Sequence, residues 1–118
     1  MIKQALNYIY NYWFLITASL TILVIIASLS PVTALEGLNE SDKLFHIIAY
    51  FSLSFPSAFR KKYSYILVFI WFFLFGVTIE VIQPYFERNY ELDDIFANSL
   101  GTLLGIFFAD LIKKYYSY

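Results

Sequence analysis

The sequence predicts an all-α integral membrane protein, a bundle of four transmembrane helices with both termini on the cytoplasmic side. Of its 118 residues, 60% are hydrophobic and only 14% are charged, against about 25% charged residues in soluble proteins. The charged residues form clusters that alternate basic and acidic along the chain, with four apolar stretches between them. Four crossings of a bilayer place all the basic clusters on one side, and an excess of Lys and Arg marks the cytoplasmic side. We therefore expect a single multi-pass membrane domain over residues 1–118.

The first predicted helix covers about residues 12–30, which carry no charge. At 1.5 Å per residue, about 20 residues cross a hydrocarbon core of about 30 Å. Tyr10 and Tyr12 stand where this helix enters the membrane, and aromatic side chains are enriched at that interface. Pro31 ends the helix and begins the first outer loop.

Three further helices are predicted over about residues 42–59, 63–83 and 93–112. The second carries Pro56, where we expect a kink, and a basic turn at residues 60–62 joins it to the third. Pro84 ends the third helix, because its ring cannot continue a helix. The second and fourth helices each begin with a polar turn, which protein or water must shelter because polar groups in hydrocarbon cost several kcal/mol.

Polar residues fall on one face near the outer end of each of the last three helices. His46 and Tyr50 follow Asp42 at intervals of four residues, and Asn98 follows Asp94 at the same interval. A short bundle turns such faces inward to keep them out of lipid, so we expect them to meet just below the outer surface. The predicted ligand-binding residues are Asp42, Lys43, His46, Tyr50, Glu80, Gln83, Arg88, Asp94 and Asn98.

Within this set, His46, Glu80 and Asp94 are the candidates for catalysis, and Glu80 and Asp94 for a metal ion. An ionisable residue inside a membrane is a functional candidate by default. The alternative is a buried polar network that only holds the helices together. Gly101 and Gly105, four residues apart on one face, are expected to let a neighbouring helix pack closely.

The spacing of these residues resembles the VanZ-like family of small bacterial membrane proteins. The residues concerned are D-K-x-x-H-x-x-x-Y at 42–50, E-x-x-Q at 80–83 and R-x-x-x-x-x-D-x-x-x-N-x-x-G-x-x-x-G at 88–105. The chain departs from the family at Phe86-Glu87, where Pro-Gly is usual, and at Glu91, where Asp is usual. The resemblance implies a place in the bacterial cytoplasmic membrane and a link to low-level resistance to the lipoglycopeptide teicoplanin.

The sequence leaves three functions open. In the first, the polar residues bind a membrane lipid or a lipid-linked cell-wall precursor, with Lys43, Arg88 and two helix N-termini attracting a phosphate. The many carboxylates oppose an anion unless a divalent cation lies between them, or the partner is cationic, such as the amino group of a lipoglycopeptide. In the second, the protein is a membrane-embedded enzyme that acts on a phosphate-bearing lipid or cell-wall precursor. In the third, the network is structural. No nucleic-acid partner is predicted, and the oligomeric state stays open.

Overall fold

The computed structural model describes residues 1–29, 42–86 and 92–117, and all regular secondary structure in these ranges is helical. The all-α class is therefore confirmed. The elements are α1 Ile2–Asn11, α2 Trp13–Ser28, α3 Asp42–Arg60, α4 Tyr65–Ile82, a 3₁₀ helix Gln83–Phe86, and α5 Leu92–Tyr116.

Two helical segments are long and apolar enough to cross a membrane, namely Tyr65–Tyr85 and Asp93–Tyr116. The pair α1 and α2 passes the same test when the two helices are counted as one bent segment. α3 does not pass this test, because the polar residues of its first turns lower its mean hydropathy. Among the described residues, composition and length thus identify two spans, or three with the bent pair, as expected of a membrane protein.

The helix predicted over about residues 12–30 corresponds to α2, and the structure adds a helix before it. Residues Ile2–Asn11 form a separate helix, and α1 and α2 enclose a bend of 79°. The physical reason lies in the residues before the apolar stretch, where Leu6 is buried and Ile9 and Tyr10 pack beside it, while Gln4 and Asn11 on the other face are exposed. Such an amphipathic segment forms a surface helix, and the prediction missed it.

The bounds of the other three helices lie within two residues of the prediction, except that α5 continues to Tyr116, four residues past the predicted end. Lys61 takes a left-handed φ of 52° just after α3, the conformation that commonly ends a helix. The Ser64 side chain accepts a hydrogen bond from the N–H of Leu67 at 3.4 Å and caps α4. Pro56 lies inside α3, and Pro84 lies in the 3₁₀ helix that prolongs α4.

The backbones of α3 and α5 approach each other closely at two glycines of α5. A Cβ atom added at Gly101 would lie 3.0 Å from the Cα and carbonyl carbon of Ile47, and one at Gly105 would lie 2.8 Å from the carbonyl oxygen of Phe51. Both distances are too short for a side chain. Because α3 and α5 meet here without side chains between them, the residues that flank these glycines are held in a fixed relation across the two helices.

Candidate functional site

One end of the bundle gathers buried polar side chains from three helices. α3 and α5 begin at this end and α4 finishes there, so that the first turns of two helices meet the last turn of the third. Their polar side chains are almost completely shielded from solvent, with Glu80 0%, Asp94 3% and Asn98 2% exposed. Polar groups buried to this degree require polar partners.

Asp94 is the centre of this cluster, because its two carboxylate oxygens face different partners. Lys43 Nζ donates to Oδ1 at 2.7 Å, and the lysine side chain keeps 38% of its surface exposed. His46 Nε2 lies 3.6 Å from Oδ2, which is longer than a normal hydrogen bond. The pair of Lys43 and Asp94 thus joins the rim of the cluster to its interior.

His46 is oriented from α5 by a second contact. Its Nδ1 donates to the side-chain oxygen of Asn98 at 2.7 Å. Because the proton sits on Nδ1 in this bond, the lone pair of the neutral imidazole is on Nε2, the nitrogen that faces Asp94. Asn98 thereby sets both the tautomer and the direction of the histidine.

Glu80 completes the cluster from α4. One ligand atom each from His46, Glu80 and Asp94 lies within 4.8 Å of the others. Three ionisable groups from three helices therefore converge, as the sequence predicts for these residues. Gly76, one turn before Glu80, makes room for the cluster, because a Cβ there would lie 3.0 Å from Nδ2 of Asn98.

A polar ladder below Asn98 was not identified from the sequence. Thr102 donates its hydroxyl hydrogen to the carbonyl oxygen of Asn98 at 2.9 Å, and Ser54 donates to the carbonyl oxygen of Thr102 at 3.2 Å. Both side chains are fully buried. The signal in the sequence was the four-residue spacing of Thr102 from Asn98 and of Ser54 from Tyr50, which continues the two polar faces toward the bundle centre.

Tyr50 and Gln83 border the cluster, and each also contacts residues outside it. The Tyr50 ring is 2% exposed and packs against Phe75 at 6.1 Å between ring centroids. Gln83 donates from Nε2 to the carbonyl oxygen of Ser28 at 3.0 Å and so joins the ends of α4 and α2. Two further predicted residues are not placed: Arg88 and the side chain of Asp42 lie outside the described part of the chain.

The opposite end of the bundle is basic. Lys113 Nζ donates to the carbonyl oxygen of Phe59 at 2.8 Å, and the Arg60 guanidinium lies 4.4 Å from the centre of the Tyr10 ring. Asp110 is paired there with Lys114 at 2.9 Å. Cationic side chains near the C-terminus of a helix interact favourably with its dipole. The alternation of charge read along the chain thus becomes a separation of charge between the two ends of the fold.

Comparison with known families shows a match to VanZ/LLP1 over residues 3–113. This chain belongs to the VanZ/LLP1 family. The match covers nearly the whole chain, so the resemblance predicted from residues 42–105 is confirmed and extends to α1 and α2. No curated protein and no solved structure matches the chain.

Membership of the VanZ/LLP1 family and the apolar helices together identify a membrane protein of the cell envelope. The structure shows where the residues that carry the resemblance lie in this chain. Lys43, His46, Glu80, Asp94 and Asn98 come together at one end of the bundle. This arrangement can bind a ligand through fixed charges or transfer a proton through His46.

Proposed function

We propose that this VanZ/LLP1 protein crosses the bacterial cytoplasmic membrane four times, through α2, α3, α4 and α5, with both termini in the cytoplasm. The charge separation supports this topology, because an excess of Lys and Arg marks the cytoplasmic side. The cationic residues of the basic end are Arg60, Lys61, Lys62, Lys113 and Lys114. The His46 cluster then opens toward the outer leaflet.

We propose further that the cluster binds the phosphate-bearing headgroup of a membrane lipid or of a lipid-linked cell-wall precursor. The observation that carries this proposal is the position of Lys43. Its ammonium group reaches the buried Asp94 at 2.7 Å while 38% of the side chain remains exposed, so it presents a positive charge at the entrance. The N-termini of α3 and α5 lie at the same end, and helix N-termini attract anions through unpaired N–H groups and the helix dipole.

The test is retention of lipid by the purified protein. We expect native mass spectrometry from nanodiscs of phosphatidylglycerol to show bound lipid on the wild type and several-fold less on a Lys43→Gln variant. Lys43→Arg should retain lipid, because it keeps the charge and the partner Asp94. Lys62→Gln, an equal loss of charge at the opposite end, is the matched control. Equal retention by wild type and Lys43→Gln would refute headgroup binding at this site.

A second candidate function, a lipid-processing enzyme, is favoured by the separation of 3.6 Å between His46 Nε2 and Asp94. In this proposal His46, Glu80 and Asp94 act as acid, base or metal ligands toward a phosphate-bearing substrate. Incubation with envelope lipids, followed by comparison of lipid profiles with a Glu80→Gln variant, tests for product. A product that forms with wild type and not with Glu80→Gln would establish catalysis.

At the level of the cell, we propose that headgroup binding alters the interaction of lipophilic glycopeptides with the cell envelope. Expression in a susceptible Gram-positive host should raise the inhibitory concentration of teicoplanin, and Lys43→Gln should remove the increase. The third interpretation, a purely structural network, predicts that every selective loss of resistance follows loss of folded protein. A Lys43→Gln variant that is normally folded and abundant yet confers no resistance would exclude it.

A further inference from the structure

We propose that His46, Glu80 and Asp94 form a binding site for a divalent metal ion, with Asn98 as the residue that positions the histidine. The metal site rests on its own geometry. Only its role in attracting a phosphate rests on the proposed headgroup binding. The sequence suggested an ion between Glu80 and Asp94, and the structure adds a nitrogen ligand and a positioning residue.

The spacing of the donor atoms is close to that of a metal site. Two ligands at about 2.1 Å from a zinc ion in tetrahedral geometry lie about 3.4 Å apart. His46 Nε2 and Asp94 Oδ2 are 3.6 Å apart, too far for a good hydrogen bond and near the separation that an ion between them requires. The 4.8 Å limit on all three groups means that an inward movement of about 1.4 Å brings the most distant donor into place.

The hydrogen bond between His46 and Asn98 prepares the histidine as a ligand. Ligating histidines typically donate their other ring N–H to an oxygen acceptor, which fixes the tautomer and the ring direction. Here Nδ1 donates to Asn98 Oδ1 at 2.7 Å, so Nε2 presents its lone pair to the cluster. Asn98 is itself 2% exposed, and the ladder of Thr102 and Ser54 supports its backbone.

The side-chain amide nitrogen of Asn98 also indicates a bound group beside the cluster. Nδ2 of Asn98 is buried and makes no hydrogen bond, although a buried amide donor without an acceptor costs about 1–3 kcal/mol. It faces Gly76, one turn from Glu80 on α4. An oxygen of a metal-bound anion at this point would accept from it, which favours a ligand over a closed structural network.

Asp94 can serve the ion and Lys43 together because they use different oxygens. Lys43 binds Oδ1, which leaves Oδ2 on the side of His46. The formal charges of Glu80, Asp94 and Lys43 sum to one negative charge. A divalent ion changes this sum to one positive charge. The carboxylates, which alone would repel a phosphate, would then hold an ion that attracts it.

The ligand set selects the class of metal. Imidazole nitrogen favours Zn²⁺ over Mg²⁺ and Ca²⁺, whereas carboxylates also suit Mn²⁺. Three protein ligands with one open position are the arrangement of zinc sites that bind a further group. We therefore assign the site to Zn²⁺ first and Mn²⁺ second, with the open position toward a phosphate oxygen.

The test is binding of the metal alone. Protein purified in detergent is stripped with EDTA and dialysed against Zn²⁺ or Mn²⁺, and the bound metal is counted by mass spectrometry. We expect one ion per chain, with affinity at least tenfold weaker in Asp94→Asn and His46→Ala. Asn98→Ala should weaken binding 10- to 100-fold, as outer-shell substitutions do. Asp93→Asn is the matched control, because the neighbouring Asp93 is exposed.

Two results would overturn the metal site: no bound ion above the level of a protein-free detergent control, or equal affinity in Asp94→Asn and Asp93→Asn. Circular dichroism verifies the fold of each variant. Should Asp94→Asn unfold, the comparison passes to Glu80→Gln, and equal affinity of Glu80→Gln and wild type then overturns the site. The visible spectrum of bound Co²⁺ reports directly on a nitrogen ligand, and a spectrum that His46→Ala leaves unchanged counts against it.

Metal binding and headgroup binding fail separately. If the stripped protein keeps its phosphatidylglycerol but binds no Zn²⁺, the metal site is wrong and the proposed function stands. If the protein binds Zn²⁺ and retains no lipid in either form, the metal site stands and headgroup binding is wrong. Retention of lipid that returns only on loading with Zn²⁺ supports both.

Discussion

A single methyl group at Gly101 tests whether helix packing sets the geometry of the site. In Gly101→Ala the added Cβ lies 3.0 Å from the Cα and carbonyl carbon of Ile47, whereas carbon atoms in good contact are about 3.5–4.0 Å apart. The backbones of α3 and α5 must therefore separate by about 0.5–1 Å at this level. His46 is the residue before Ile47, and Asn98 lies one turn before Gly101, so the separation is felt in the site itself.

The separation weakens both the fold and the cluster. The hydrogen bond from His46 to Asn98, now 2.7 Å, would lengthen beyond about 3.2 Å and lose most of its strength. Overpacking costs about 1–3 kcal/mol and the lost hydrogen bond about 1 kcal/mol. Replacing a helical glycine by alanine returns about 0.5–1 kcal/mol. The net destabilisation is therefore about 1–3 kcal/mol.

Thermal unfolding in detergent, followed by circular dichroism, measures this balance. A loss of 1 kcal/mol corresponds to a fall in Tm of about 4 °C or more for a domain of this size, and Zn²⁺ affinity should fall with it. Leu103→Ala, at an exposed position on the same helix, controls for substitution in α5 and should leave the affinity unchanged. If Gly101→Ala instead raises Tm, as helix propensity alone requires, the close approach of α3 and α5 is wrong.

Two further substitutions test contacts at the two ends of the bundle by the same thermal measurement. Gln83→Leu removes the hydrogen bond to the end of α2 and should lower the free energy of unfolding by about 1 kcal/mol. Tyr85→Leu, at an exposed position, is the control and should leave it unchanged. An equal Tm for the two variants would show that the hydrogen bond to α2 does not contribute to stability. Lys113→Met leaves the Phe59 carbonyl without its lysine donor and should lower the free energy of unfolding by about 1 kcal/mol. Lys114→Met removes only a surface ion pair and should lower it less. A larger loss of stability in Lys114→Met than in Lys113→Met would contradict the assigned partner of Lys113.

The sequence was sufficient to predict which faces of three helices carry the polar residues of the site. Spacings of three and four residues placed His46, Glu80 and Asp94 on inward faces, because an ionisable group is costly in lipid. The charged clusters and Pro84 located the bounds of α3 and α4 closely, whereas α5 continues four residues past its predicted end. Contacts between helices were beyond this reasoning, since a spacing gives the face of a helix but not the rotation of its neighbour.

Three details were not predicted, the first two because they depend on how the helices meet. Asn98 was expected in the site, but its bond to His46 Nδ1 rather than Nε2 follows from the register of α3 against α5. Gln83 shares a stripe with Glu80, yet its position at the end of α4 directs it to α2. The helical residues 2–11 were missed because a search for long apolar stretches passes over a short amphipathic helix.

The bend between α1 and α2 constrains the order in which the chain assembles. Leu6 of α1 is buried in one cluster with Ala58 and Phe59 of α3 and Ala109 of α5. Because α1 is synthesised before α3 and α5, it cannot complete these contacts until Ala109 has been added to the chain. A chain arrested between α3 and Ala109 leaves Leu6 without one of its buried partners.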